Sequence, residues 1–371
     1  MPANRQVKKL SIRKQLGTYH PANHEVIIHI RNLDTHPIGG NEIYPGVYLL
    51  PKTLYSPHRA YFKTNLLVGR REFSPAVEHF IARMHSFLGG NAVKTKLIYD
   101  SQLNHLSLLS VDALKDPEST IIKPPETLCS SAKGILPVFK HILPHMLRNA
   151  QLSLPAPVSS DEFHKNLHVL RHHFLRMVFL DSIFLNNDRG FSNISYELDK
   201  DGTLNMLSLY DNELNMLDSL LYEFKHMKTT YRPCDPIELS KSHVTPRYFW
   251  ATFHESVHEP FQNVPQYASL VAYDILEHAM HSPLEASRQL KTYKFAMVPL
   301  DVELMLRYLF ANNTLRILDA LVEYRPTIDR KLHRPEIDAR LPKLRATLLK
   351  EIDDISRLKE RHYGINATPR R

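Results

Sequence analysis

The residues that are most informative about the fold of this chain are Asn187-Asp-Arg-Gly-Phe-Ser-Asn193 and Leu209-Tyr-Asp-Asn-Glu-Leu214. Residues 194–198 follow the first part, and residues 204–210 run into the second. Both runs are rich in β-branched, aromatic and aliphatic side chains. The sequence Asp-Lys-Asp-Gly separates these runs, and Asp-Gly in such a place is a strong signal for a β-hairpin. We therefore predict a hairpin whose turn is centred on Asp201-Gly202.

This hairpin is expected to bring three polar side chains together. Asn193 and Asp211 lie almost equally far from the turn, so antiparallel pairing places their Cα atoms roughly 4.5–5.5 Å apart. Asp188, in the loop before the first strand, lies on the same side. An amide oxygen and a carboxylate suit a hard cation that keeps waters and phosphate oxygens as further ligands. The competing interpretation is a polar turn that caps backbone groups, but the three matched positions favour phosphoryl-transfer chemistry.

At these residues the chain resembles known kinases. The pattern Asn-x-Asp-Arg-Gly-x-x-Asn, followed by Asp-Asn-x-Leu, is similar to the catalytic and metal-binding loops of type II phosphatidylinositol 4-kinases. The spacing from Asp188 to Asn193 to Asp211 resembles that of HipA-like protein kinases, which are also remote members of the protein-kinase-like superfamily. The resemblance implies that Asp188 is the catalytic aspartate and that Asn193 and Asp211 are metal ligands. Arg189 is expected to stabilise this loop or the transferring phosphoryl group.

The chain departs from the usual kinase pattern after Asp211. Asn212 and Glu213 stand where Phe and Gly would follow the aspartate, and no His-Arg-Asp or Ala-Pro-Glu sequence occurs. Control by a flipping Phe or a phosphorylated activation loop is therefore not expected. Remote kinases of this sort also occur among effectors that intracellular bacteria deliver into host cells, so a bacterial effector kinase, delivered without a signal peptide, is one expectation.

A kinase site also needs a lysine on the phosphates and a glutamate that holds this lysine. Residues 46–50 and 59–63 are predicted as a hairpin, and Lys63 closes its second strand. Ser74-Pro75 predicts the start of a helix that runs to Leu88, with Gly89-Gly90 at its end. Glu78 in this helix is the expected partner of Lys63, and Glu72 is the alternative.

The predicted nucleotide site has two further parts. Gly39 and Gly40 precede the first strand of that hairpin and could offer backbone N–H groups to phosphates, although an ordinary turn explains them as well. The apolar run 106–114 is predicted as the last strand of a small N-terminal lobe, where adenine would dock. The cofactors implied are ATP and Mg²⁺ or Mn²⁺.

The predicted fold class is α+β, a two-lobed, atypical kinase-like fold. Its parts are a basic N-terminal segment (1–24), a β-rich N-lobe with one key helix (25–115), a helical C-lobe (116–324) and a basic helical extension (325–371). A capping box, Ser159-x-x-Glu162, predicts the start of the helix that leads into the Asn187 loop. Further helices are predicted at 219–228, 265–281, 284–294, 302–324 and 341–361.

Composition limits the class of protein. The 371 residues are 43% hydrophobic and 23% charged, and no apolar run is long enough for a transmembrane helix. The basic N-terminus lacks the apolar core of a secretory signal peptide. Only two cysteines, Cys129 and Cys234, are present, which argues against a disulfide framework and favours a reducing, cytoplasmic compartment.

The net charge of +8 is concentrated at the two ends. Residues 1–24 contribute +5, and residues 325–371 hold 13 Lys or Arg against 7 Asp or Glu. Basic ends favour an anionic partner such as a membrane inositol lipid or a soluble inositol polyphosphate, although a solvated basic face and tail explain them as well. An inositol polyphosphate such as inositol hexakisphosphate is the hypothesis for an activator. Nucleic acid is not expected, because no zinc finger or aromatic RNA-binding motif accompanies the charge. The residues assigned to the activator site are Arg325, Arg330, Lys331, Arg334 and Arg340.

The acceptor class stays open. A protein Ser/Thr kinase is favoured, because no insertion loop or interfacial aromatic cluster marks a lipid-embedding surface. A phosphoinositide kinase is the alternative, and a non-catalytic pseudokinase or anion-binding adaptor is the second alternative. The row His164, His168, His172 and His173 is interpreted as solvated or packing histidines rather than as a metal site, because no His-Glu-x-x-His pattern is present.

Overall fold

The computed structural model describes residues 15–18, 26–31, 43–49, 58–64, 74–93, 95–100, 105–111, 120–122, 134–154, 156–186, 196–206, 217–226, 229, 257–281 and 299–363. The chain is α+β, as the sequence predicts, and it divides into two compact units. The first comprises Met1–Phe80 and Val93–Ala113, and the second comprises Ile81–Ala92 and Leu114–Arg371.

Six antiparallel strands form a closed barrel in the first unit. They are β1 (Gln15–Thr18), β2 (Val26–Arg31), β3 (Ile43–Leu49), β4 (His58–Thr64), β5 (Thr95–Asp100) and β6 (His105–Val111). Their order is β1-β2-β3-β4-β6-β5, and pairing of β5 with β1 closes the ring. Residues 15–18, within the segment predicted as a separate basic N-terminus, are therefore a strand of this barrel.

The two strands that carry the predicted phosphate-binding lysine are present. The hairpin predicted from residues 46–50 and 59–63 is confirmed as β3 and β4. Lys63 lies one residue before the end of β4, opposite Ile43 of β3 on one side and Leu108 of β6 on the other. At Lys63, strand β4 is therefore paired with a neighbouring strand on both sides.

Helix α1 (Ser74–Phe87) follows the start and stop signals in the sequence. Its apolar residues Val77, Phe80, Ile81 and Met84 are buried, as is Leu88 just after its end. The helix ends before Gly89, whose positive φ of 77° provides the left-handed turn that glycine adopts at little cost.

The second unit is largely helical. Its longer helices are α3 (Leu143–Gln151), α4 (Ser160–Phe184), α5 (Leu217–His226), α7 (Pro265–His281), α8 (Leu300–Tyr324) and α10 (Leu341–Tyr363). Two short helical pieces precede α3: α2 (Ile135–Pro137) and a π-helical turn (Val138–Ile142). The others are α6 (His258–Asn263), two 3₁₀ turns (Arg325–Thr327 and Arg330–Leu332) and α9 (Pro335–Asp338). A small sheet has the strand order β7 (Thr120–Ile122), β8 (Tyr196–Leu198), β9 (Leu204–Met206).

Helix α8 is the centre of this unit. It is buried on all sides along most of its length and contacts α10, α4 and α7. The predicted amphipathic C-terminal helix is confirmed as α10, which buries Leu341, Leu344, Leu348, Ile352 and Ile355. The unit runs without a break into the segment that the sequence assigns to a separate extension.

Most of the other predicted helices are present. The segments 219–228, 265–281 and 302–324 correspond to α5, α7 and α8, whereas residues 284–294 lie outside the described residues. Among the helices that the structure describes, none is both long and apolar enough to cross a lipid bilayer.

Candidate functional site

The structure describes the chain on both sides of the predicted catalytic loop. Asn186, the last described residue after α4, and Tyr196, the first residue of β8, are both buried. The predicted site residues Asp188, Arg189, Asn193 and Asp211, together with Gly39 and Gly40, lie outside the described residues, so their assignments stay predictions.

Helix α4 begins at the predicted capping box. Ser159 is the N-cap, and its side chain accepts a hydrogen bond from the backbone N–H of Glu162 at 3.1 Å. About two turns after Ser159, Asn166 Nδ2 donates to the carbonyl oxygen of Gly202 at 2.7 Å. The first part of α4 therefore holds the turn of the β8–β9 hairpin, while its far end delivers the chain to residue 187.

The end of α4 is fixed by its own residues. Leu185 adopts the left-handed conformation, with φ 54° and ψ 40°, which ends the helix. Asn186 N–H donates to the backbone carbonyl of Asp181 at 2.9 Å, and Asn186 Nδ2 donates to the Asp181 carboxylate at 3.3 Å. Both side chains are fully buried. The residue two positions before Asp188 is thus held in a defined place.

Helix α8 contributes a hydrogen bond to the end of α4. Asn313 Nδ2 donates to the carbonyl oxygen of Ile183 at 2.8 Å, and Asn312 Nδ2 donates to Asn313 Oδ1 at 3.2 Å. Tyr308 hydroxyl donates to Asn312 Oδ1 at 3.4 Å. Burial raises the pKa of Tyr308 to about 12, although the charge of Arg316 lowers it, so the hydroxyl remains a donor.

The predicted hairpin is confirmed as β8 and β9. The turn between them is closed by hydrogen bonds from Asp199 N–H to the Thr203 carbonyl and from Gly202 N–H to the Asp199 carbonyl, both at 2.9 Å. Gly202 has a φ of 85°. Strand β8 is buried along its whole length, and β7 pairs with its other edge.

The register of this hairpin is displaced by two residues from the one that pairs positions 193 and 211 directly. Leu198 pairs with Leu204 and Tyr196 with Met206, which centres the turn on Asp201. Direct pairing of residues 193 and 211 requires a centre at Gly202. The described register therefore does not itself support their predicted side-by-side placement.

Glu78, the expected partner of Lys63, is buried in α1 with 6% of its surface exposed. This burial agrees with the prediction that it points away from solvent. On the next residue, His79 Nδ1 is hydrogen-bonded to Thr95 Oγ1 of β5 at 2.7 Å. The pairing of Glu78 with Lys63 stays a prediction, and the alternative Glu72 lies outside the described residues.

A charge network that the sequence did not reveal holds the carboxyl end of α1. Arg176 of α4 donates through Nη1 to the carbonyl oxygen of Gly89 at 2.5 Å and through Nη2 to the carboxylate of Asp274 on α7. His172 Nε2 lies 3.4 Å from the same carboxylate, and Arg334 Nη2 lies 2.8 Å from its other oxygen. Burial raises the pKa of Asp274, but its hydrogen bond with His172 and these positive charges outweigh burial and lower it.

The arginines assigned to an activator site have two different surroundings. Arg325 Nη2 lies 2.6 Å from Asp338, and Arg334 bridges Asp274 and Glu277. Arg330, Lys331 and Arg340 are exposed. Two of the five cations are thus paired with carboxylates of the same unit, although Arg325 is itself 45% exposed, and the other three face solvent.

The histidine row of α4 follows the interpretation as packing and surface residues. His168 Nδ1 is bonded to the Tyr267 hydroxyl at 3.1 Å, and His172 faces Asp274. Within the described part of the chain, no cluster of three or more His, Cys, Asp or Glu could hold a metal ion.

No protein-family profile matches the chain, and no curated protein sequence matches it. Among solved structures, it is similar to the proinflammatory kinase CtkA of Helicobacter pylori, with a TM-score of 0.54 at 10% identity over 81% of this chain and 96% of that one.

Two other solved structures give lower scores. The Shewanella oneidensis HipA, HipB and operator DNA complex matches at a TM-score of 0.32 and 11% identity, over 92% of this chain and 66% of that one. The MAP kinase LmaMPK10 of Leishmania major matches at 0.26 and 14%, over 88% and 94%. The fold assignment therefore rests on the Helicobacter protein, and the likeness to it shows that this chain has a kinase-like fold.

Proposed function

We propose that this protein is an ATP-dependent phosphotransferase, and that it is an atypical protein Ser/Thr kinase. One observation carries the proposal: in a kinase-like fold, the sequence Asn-Asp-Arg-Gly-Phe-Ser-Asn occupies the link between the buried end of α4 and the β8–β9 hairpin. A motif that resembles a kinase catalytic loop thus connects a long helix to a short hairpin in the sequence.

The roles of the residues follow from phosphoryl-transfer chemistry. Asp188 orients the acceptor hydroxyl and accepts its proton late in a loose transition state, so its position matters more than its basicity. Lys63 neutralises phosphate charge, and Glu78 holds the lysine in place. Arg189 stabilises the loop or the transferring group. Gly39 and Gly40 offer backbone N–H groups to the nucleotide phosphates.

The donor atoms suit a divalent cation. Asn193 and Asp211 supply one amide oxygen and one carboxylate, which fit Mg²⁺ or Mn²⁺ that keeps its remaining ligands from water and phosphate. When bound, the ion neutralises charge on the phosphates. Neither cysteine nor histidine is needed for this set, in agreement with the chemistry of kinases.

The acceptor class is tested by where the label goes. Purified full-length protein is incubated with γ-labelled ATP and Mg²⁺, together with generic protein acceptors and vesicles that contain phosphoinositides. Label in protein and not in lipid supports the protein kinase. Label in lipid alone supports the phosphoinositide kinase, which the Asp-Arg-Gly and Asp-Asn motifs and the basic ends favour. Absence of label from both, at saturating ATP, supports the pseudokinase or anion-binding adaptor.

We also propose that a polyanion such as inositol hexakisphosphate activates the enzyme. Because Arg325 and Arg334 already bind carboxylates, the exposed Arg330, Lys331 and Arg340 are the residues that reach a soluble anion. Calorimetric titration with inositol hexakisphosphate tests this, with the triple alanine variant of the exposed residues as comparison. An absence of heat, of any shift in melting temperature and of any change in activity excludes this activator.

A further inference from the structure

Three consecutive polar residues lie buried in the middle of α8. Asn312, Asn313 and Thr314 are each exposed by 4% or less, in a helix whose other central residues are mostly apolar. Buried amides are costly unless they are hydrogen-bonded. The proposed chemistry uses none of the three, so their presence at the centre of the unit calls for another explanation.

Asn313 has a specific partner on α4. Its Nδ2 donates to the carbonyl oxygen of Ile183 at 2.8 Å, across 130 positions of sequence. The carbonyls of the last four residues of a helix have no partner within the helix, and Ile183 is one of these four because α4 ends at Phe184. Asn313 therefore satisfies a carbonyl that the helix itself leaves open.

The place of this bond matters because the chain leads from Ile183 directly to the predicted catalytic aspartate. Leu185 is left-handed, and Asn186 is held by Asp181 through both its backbone and its side chain. Asp188 lies two residues after Asn186. Of these bonds, the one from Asn313 is the one that comes from another helix.

We propose that Asn313 is a positioning residue for Asp188. By holding the carbonyl of Ile183, it sets the direction in which the chain leaves α4, and so the place of the predicted catalytic aspartate. This inference rests on the proposed phosphotransferase function. A displacement of about 1 Å at a reacting group can reduce a rate on the order of 10²-fold, so a single bond at the base of the loop can control turnover.

A purely structural role for Asn313 gives a different result. In that case the loss of its side chain lowers the melting temperature and the folded fraction, but each folded molecule works at the normal rate. A positioning role lowers the turnover number of the folded enzyme. It leaves the Michaelis constant for ATP unchanged, because Lys63 and the metal ligands are assigned to hold the nucleotide.

The chain offers a matched control next to Asn313. Thr314 is fully buried on the same helix, and its hydroxyl has no hydrogen-bond partner among the described residues. Thr314→Val removes a buried polar atom at the neighbouring position and keeps the side-chain shape. Asn313→Ala removes the bond to Ile183, and Asn313→Ser is a milder variant that stays polar but is too short to reach it.

The experiment measures melting temperature, turnover number and Michaelis constant for ATP, at a temperature well below every melting transition. We expect Asn313→Ala and Asn313→Ser to lower the turnover number about 10- to 100-fold, with the Michaelis constant within about twofold of the wild type. Thr314→Val is expected to keep the wild-type turnover number. In an Asp188→Asn background, Asn313→Ala is expected to cause no further loss, because residues that act through one another are not additive.

The positioning role of Asn313 and the proposed phosphotransferase function are contradicted by different results. If the wild type transfers phosphate and folded Asn313→Ser turns over within about twofold of it, the positioning role is wrong and the proposed function stands. If the wild type transfers no phosphate to any acceptor, the proposed function is wrong and the inference falls with it. If Asn313→Ala does not fold, Asn313→Ser alone decides, and hydrogen exchange of the peptide around residues 183–189 must be faster in it than in the wild type.

Discussion

The guanidinium of Arg176 binds the carbonyl oxygen of Gly89 and the carboxylate of Asp274 at the same time, through separate nitrogens. This arrangement uses the forked geometry of arginine, which lysine lacks. The bond to Gly89 holds the chain just after α1, where the left-handed glycine leaves no room for a side chain: a Cβ there would lie 2.7 Å from the ring of His278. Arg176 thus ties the end of α1 to α4 and α7.

Replacement of Arg176 by alanine is expected to lower the free energy of unfolding by about 1–3 kcal/mol, the range for a charged hydrogen bond in a partly buried site. The carboxylate of Asp274 keeps His172 and Arg334 as partners, so the loss stays below that of a fully isolated buried charge. Arg176→Lys is expected to recover only part of it. Urea unfolding followed by circular dichroism measures the change.

Arg357→Ala is the control for this prediction. Arg357 pairs with Asp353 one turn away on α10, and both side chains are more than half exposed. Exposed pairs of this kind contribute roughly 0.3–0.5 kcal/mol. An Arg176→Ala variant no less stable than Arg357→Ala would show that the network around Asp274 does not hold the fold together.

Stability is expected to fall as the pH drops from about 6.5 to about 4, in part because of His173. Burial, together with the charges of His172 and Arg176, lowers the pKa of His173 to about 4. In this window the unfolded chain binds a proton at His173 that the folded chain does not, so acid favours unfolding. The shift from 6.5 to about 4 corresponds to about 3 kcal/mol at the acid end.

The variant His173→Gln tests this origin, because it removes the proton that only the unfolded chain binds. Urea unfolding at pH 7, 5.5 and 4.5 should show a smaller loss of stability for His173→Gln than for the wild type. The exposed His164 on the same helix provides the matched control variant His164→Gln. Identical pH profiles for the wild type and His173→Gln would rule out the buried histidine as the cause.

The cap at the start of α4 gives a prediction independent of the charge network. Ser159→Ala removes the bond to the N–H of Glu162 and is expected to cost about 1 kcal/mol. Ser159→Asp keeps an acceptor at the N-cap and is expected to stay near the wild type. Ser160→Ala, one residue into the helix, changes the same atoms without touching the cap. Equal melting temperatures for Ser159→Ala and Ser160→Ala would mean that the cap contributes little.

Local signals in the sequence were sufficient where a few adjacent residues determine the outcome. Ser74-Pro75 and Gly89-Gly90 gave both ends of α1, and Ser159 with Glu162 gave the start of α4. Asp201-Gly202 gave the β8–β9 turn, because an Asp-Gly pair supplies the positive φ that the turn needs. Each of these features is decided by backbone groups only a few residues away.

Features that depend on distant partners could not be predicted. Strand β7 is three residues long, too short to show alternation, and it exists because it pairs with β8. The stretch from α2 to α3 contains Pro137 and Pro144, which mask its helical pattern. The bond from Asn313 to Ile183 joins residues 130 positions apart, and nothing in either segment marks it.

The candidate site likewise combines features that the local sequence predicts with features that it does not. Asp188, Asn193 and Asp211 could be selected because their residue types and spacing resemble a kinase motif, and Glu78 because its helix has a clear apolar stripe. The hairpin register is two residues from the one that pairs positions 193 and 211, because a turn sequence specifies that a chain reverses but not how its strands pair beyond the turn.

The most direct test of the phosphotransferase assignment compares Asp211 with a second aspartate of the same hairpin region. Asp201 lies exposed in the β8–β9 turn and is bonded to Thr203, so Asp201→Ala is the matched control. Transfer of γ-labelled phosphate from ATP is measured for the wild type, Asp211→Ala and Asp201→Ala in the presence of Mg²⁺. If Asp211 is a metal ligand of a phosphotransferase, the wild type and Asp201→Ala transfer phosphate, and Asp211→Ala loses at least about 10²-fold of this activity. Equal transfer by all three proteins would contradict this role of Asp211.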